Sequence, residues 1–151
     1  MGKQSLAGLF VAATVILAAL AQPVQALQLI TASEAALPAN PQLSRERGIS
    51  RGPTVLIVSP APEAGLLKSP LSLKIRFESH GGSQIDVETV LLTYMKEPEI
   101  DLTQRIKPFI APNGIDVEDA DVPPGTHTLR VNVKDSEGRA GLAEFTFSVA
   151  K

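Results

Sequence analysis

The sequence contains no cysteine and no tryptophan, one tyrosine and two histidines, and aromatic residues make up only 4% of it. Without cysteine there is no disulfide framework, no thiolate nucleophile and no lipidated cysteine anchor. With so few aromatic residues, a core must be built from Val, Leu, Ile, Ala and a handful of Phe. An excess of positive charge is missing as well: the formal net charge is −2 over 151 residues. Nucleic acid is therefore not an expected partner, because phosphate binding needs a basic face. No periodic stretch is long enough for the helix of a βαβ unit, so a parallel-sheet enzyme fold is not expected. No glycine-rich phosphate loop is present either.

What is there begins at the N-terminus. A start with a single Lys3 leads into an uncharged run from Leu6 to Ala21, and Q-P-V-Q-A follows, ending at Ala26. A basic start, an apolar run and small residues at Val24 and Ala26 describe a secretory signal peptide over 1–26. A second possible cut follows Ala21. The apolar run is short for a membrane span, which takes about 20 residues. The reading is an exported chain with no integral span once the signal is removed, periplasmic or secreted. An exported protein without cysteine suits a bacterial envelope better than a eukaryotic extracellular space, where small domains rely on disulfides.

Residues 27–52 show no strand alternation and carry two prolines with Arg45, Arg47 and Arg51. Thr31-x-x-Glu34 ahead of Ala-Ala-Leu is a capping-box pattern for one helical turn, which Pro38 would stop. The segment reads as an exposed, flexible arm: a solvated tether, or more sharply a docking arm for an acidic partner or lipid headgroups.

From Gly52 the period changes to two. Thr54–Val58 is a short apolar strand. In Leu71–Phe77, Leu71, Leu73, Ile75 and Phe77 face one way and Ser72, Lys74 and Arg76 the other. Thr89–Met95 is a further strand, and D-L-T-Q-R-I suits one helical turn. Phe109-Ile110 and Ile115–Val117 flank Pro112-Asn113-Gly114, where Asn-Gly favours a tight turn. His127, Leu129, Val131 and Val133 share a strand face, as do Ala143, Phe145, Phe147 and Val149. The turn at 134–141 joins these two strands as a hairpin. About seven short strands with turn chemistry between them predict an all-β, antiparallel sandwich over 53–151.

P-T-V-L-I-V-S-P, then S-P-L-S-L-K-I-R-F, then P-P-G-T-H-T-L-R-V-N-V-K-D-S-E-G-R-A-G with F-T-F-S-V at the close resembles the immunoglobulin-like and fibronectin-III-like domains of bacterial envelope proteins. The resemblance covers residues 52–151 and implies the sandwich fold; function does not travel with that fold. Such domains often carry Tyr two residues after the corner glycine, where His127 stands here. By analogy with the tyrosine corner, His127 is expected to hydrogen-bond a nearby backbone group.

Candidate chemistry is sparse. Gly48-Ile49-Ser50-Arg51-Gly52 matches G-x-S-x-G, but a nucleophile elbow needs a strand before the serine and a helix after it, and the order here is wrong. The match is read as accidental. The residues available for a metal site are His80, with Glu78, Asp86 and Glu88 near it in sequence, and the acidic group Asp116, Glu118, Asp119 and Asp121. The plainer readings are an exposed loop histidine and an exposed acidic loop, since D-V-E-D-A-D has neither EF-hand spacing nor its glycine. Copper carriers of the CopC type share a similar sandwich but use an N-terminal His and a His near the C-terminal hairpin. Leu27 and D-S-E-G-R occupy those places here. The expectation is a non-enzymatic, exported binding module that contacts another envelope protein and needs no cofactor. The alternative is a periplasmic metal-binding or metal-handling protein.

Overall fold

The computed structural model describes residues 25–40 and 51–151. Most of the expected leader lies outside these residues, as do Arg45, Arg47 and the Gly48-Ile49-Ser50 part of the G-x-S-x-G match. The chain order is β1 (Leu27–Gln28), α1 (Ala32–Ala35), β2 (Thr54–Ser59), β3 (Leu66–Leu67), β4 (Leu71–Glu78), β5 (Ile85–Tyr94), β6 (Ile100–Asp101), α2 (Thr103–Ile106), a 3-10 turn (Lys107–Phe109), β7 (Ile110–Ala111), β8 (Gly114–Asp121), β9 (Gly125–Asp135) and β10 (Ala140–Val149).

The strands form two five-stranded sheets. One runs β1-β8-β4-β2, with β7 also on β8; the other runs β3-β10-β9-β5-β6. A mostly β structure with two sheets is consistent with the expected sandwich. Two details differ from expectation. The described residues form ten strands, against about seven expected: β1, β3 and β6 are added, and two residues show no alternation for a period-two reading to find. The sheets are also not purely antiparallel, because β1 joins β8, and β3 joins β10, in parallel.

The long strands follow the sequence pattern. In β4, Leu71, Leu73, Ile75 and Phe77 are buried; in β9, His127, Leu129, Val131 and Val133; in β10, Phe145, Phe147 and Val149. They pack with Val90, Leu92 and Tyr94 of β5 and with Ile115, Val117 and Ala120 of β8. Each fully buried aliphatic side chain contributes roughly 1.5–3 kcal/mol relative to exposure, so these stripes dominate the stability. The β9–β10 hairpin is paired from Ala140 with Lys134 through Val149 with Gly125. Its turn is held by Asp135, whose carboxylate accepts from the Glu137 and Arg139 amides, Arg139 Nε and Ser83 Oγ. The Pro-Asn-Gly turn forms, but Gly114 is the first residue of the ladder, opposite Ala111. It lies against the Ile75 carbonyl, where a Cβ has no room.

The main departure concerns residues 27–40, which belong to the 27–52 segment expected to be a flexible arm. They are packed down. Leu29 and Ile30 are fully buried in the core, and their amides donate to Asp121 O at 3.0 and 3.3 Å. The capping box forms as expected, with Thr31 Oγ1 accepting from Glu34 N and Glu34 Oε2 from Thr31 N. Burial of two large aliphatic side chains, together with the backbone, Lys96 and Arg105 contacts of the segment, offsets the entropy of ordering it.

Candidate functional site

Two buried polar groups lie beneath the packed-down segment. Tyr94 and His127 are 0% and 1% exposed. His127 Nε2 is 2.8 Å from Pro123 O, and Nδ1 is 2.8 Å from the Tyr94 hydroxyl. A carbonyl can only accept, so Nε2 carries the proton and bare Nδ1 accepts from the tyrosine O–H. This bond to Pro123 is the backbone contact expected by analogy with the tyrosine corner. Burial lowers the His127 pKa, with nearby Lys96 acting the same way and the Pro123 carbonyl opposing them. Burial, helped by the Glu34 charge, pushes the tyrosine up to about 12. Both groups are therefore neutral near pH 7, and the pair is a structural lock.

The segment above is gripped by two cations. Lys96 Nζ donates to Ala35 O and Leu37 O, each at 2.9 Å, and lies 5.3 Å from the centre of the Tyr94 ring. Arg105 of α2 holds the Glu34 carboxylate through both oxygens, at 2.9 and 2.6 Å, and donates to Leu29 O at 2.8 Å. The capping-box pattern marked Glu34 in the sequence. Nothing marked Lys96 or Arg105, whose partners lie 59 to 76 residues away along the chain.

The candidate metal residues do not converge. His80 is exposed and its Nε2 lies 2.7 Å from Thr54 Oγ1. Among the described residues no group of three or more His and carboxylate side chains is placed to hold an ion. The acidic run is not a loop. It lies on β8, where Ile115, Val117 and Ala120 point inward. Between Val117 and Ala120 the strand takes three steps while β4 takes two, from Leu73 to Leu71. This bulge leaves Glu118 and Asp119 both exposed. Asp116 pairs with Lys74 at 3.1 Å, and Asp121 accepts from Ser69 Oγ at 2.8 Å. No hydrogen bond or ion pair joins the side chain of Glu118 or Asp119 to another residue among those described.

β8 is also interrupted on its outer side. β7 pairs with Gly114 and Ile115, and β1 with Ala120 and Asp121. Between them, Asp116 to Asp119 have no strand partner on that side among the described residues. A cavity of about 370 Å³ opens there, lined by Leu27, Phe109 and β8 residues 116–119 together with Gln25. Its floor is Val117, and its Phe109 wall is 38% exposed. The apolar wall residues Leu27 and Phe109 were not anticipated as part of any site, since each comes from a separate element.

No protein-family model matches the sequence, and no curated protein matches it. Among solved structures, the chain is similar to CopC from Methylosinus trichosporium OB3b. The TM-score is 0.44 at 14% identity, over 64% of this chain and 92% of that one. No helix among the described residues is long and apolar enough to cross a membrane.

Proposed function

We propose that the protein is an exported, non-enzymatic interaction module that engages another envelope component, and that the open stretch of β8 is the contact surface. One observation carries this reading. A strand with a buried apolar floor has four consecutive residues without a strand partner on its outer side among the described residues, between two short strands that close its edge on either side. An unpaired edge presents N–H and C=O groups that another chain can satisfy. Export rests on the leader pattern in the sequence.

The test is a photo-crosslinking residue at position 118, with a control at Thr146 on the exposed side of β10, in the native host. A discrete crosslinked envelope species from position 118, absent from the control, is expected. Equal yields from both positions, or none from 118, refute the assignment. The competing metal-handling reading predicts a stoichiometric melting shift with Cu²⁺, Zn²⁺ or Ca²⁺ that a chelator abolishes.

A further inference from the structure

We infer that the open stretch of β8 takes up an extended segment of a partner protein as an added strand, with Lys or Arg at alternate positions of that segment. The inference rests on the interaction reading above and specifies its partner. The geometry sets the length. Four residues without an outer strand partner among the described residues, at about 3.3 Å each, span roughly 13 Å, so β7 and β1 stop a longer ladder at either end.

Alternation sets the composition. In an added strand, every second side chain lies beside inward-facing Val117, between Leu27 and Phe109, and must be apolar. The intervening side chains lie on the solvent face beside Asp116, Glu118 and Asp119. Lys74 already neutralises Asp116. Glu118 and Asp119 have no side-chain partner among the described residues, so the uncompensated charge beside the open edge is negative. Like charges across a ladder are unfavourable and opposite charges favourable, which selects a basic segment over an acidic one. The bulge shortens the usable ladder, so binding is weak and salt-sensitive.

The experiment uses the exported form of the full chain, isotope-labelled, with two capped pentapeptides: Lys-Val-Lys-Val-Lys and Glu-Val-Glu-Val-Glu. The basic peptide is expected to shift the amide resonances of residues 116–119 and to bind at least about fivefold more tightly than the acidic one. The double variant Glu118→Gln, Asp119→Asn removes only exposed charge, so its melting temperature should be unchanged. It should weaken the basic peptide about three- to tenfold. Equal affinity for both peptides, shifts centred away from β8, or no binding of either overturns the inference. If position 118 crosslinks to an envelope protein while the peptides show no charge preference, the interaction reading stands and the basic-strand inference falls. Failure of both experiments removes both.

Discussion

The ion pair between Glu34 and Arg105 allows a stability prediction with a worked magnitude. The Arg105 guanidinium, helped by the Thr31 amide and hydroxyl, holds the Glu34 carboxyl at about 2 against a usual 4.5, although partial burial opposes the shift. At 1.36 kcal/mol per unit, this sets an upper bound of ~3.4 kcal/mol. The Arg105 side chain is 31% exposed and that of Glu34 17%, so solvent screening reduces the contribution to about 1–2 kcal/mol. The sign follows from the lowered folded-state value. The stabilisation is present above the unfolded value of 4.5 and is lost as pH falls from there towards 2. Glu34→Gln keeps an oxygen for the capping box and removes the charge.

At pH 7 the variant should melt about 3–8 °C below the wild type. Thermal melts of both proteins from pH 7 to pH 2 provide the assay. The quantity read is the difference between them, because other carboxylates titrate in both. That difference should stay constant down to about pH 5 and then close as Glu34 takes up its proton. A difference that persists unchanged to pH 2 would assign the loss to packing or capping rather than charge. A difference of zero at pH 7 would show that the pair does not hold the segment at all. Either result refutes the reasoning.

Three further outcomes are expected. Leu29→Ala should cost about 2–5 kcal/mol in urea unfolding, the range for a truncated core leucine; a loss under 1 kcal/mol would mean the segment is not part of the cooperative core. Lys96→Met leaves the Ala35 and Leu37 carbonyls without their charged donor. Amide exchange around Leu37 and Asn40 should then speed up far more than in β9, and uniform acceleration would contradict a local grip. Because the His127 value is lowered in the fold, the unfolded chain binds its proton first. Stability should therefore fall as pH drops below about 6.5. His127→Phe should flatten that slope, and an unchanged slope would place the titration elsewhere.

The sandwich strands were legible wherever a long strand has one face in the core and one in water. Leu71 to Phe77 and His127 to Val133 announce themselves because every second residue is buried. The corner histidine was legible for a different reason. The resemblance supplied it: such domains often carry Tyr two residues after the corner glycine, and His127 in that place bonds the Pro123 carbonyl as the tyrosine-corner analogy implies. Residues 27–40 were not legible. Their two core residues, Leu29 and Ile30, are adjacent and so show neither helical nor strand periodicity. Their anchors, Lys96 and Arg105, act across more than fifty residues of chain.

The acidic run shows how charge can hide a strand. Ile115 and Val117 begin an ordinary alternation, and a reader expects Asp119 to face inward next. The bulge moves that place to Ala120, so the pattern breaks by one residue and the carboxylates look like a loop. The open edge could not be read at all, because it is defined by what other elements leave uncovered. β1 reaches back only to Ala120, and β7 forward only to Ile115. If both were two residues longer, the four open residues would be covered and the same acidic side chains would decorate a closed sheet edge. The candidate site therefore depends on the lengths of two short strands far apart in sequence, and lengthening β7 by two residues, which halves the open stretch and covers Val117, should weaken peptide uptake while leaving Glu118 and Asp119 in place.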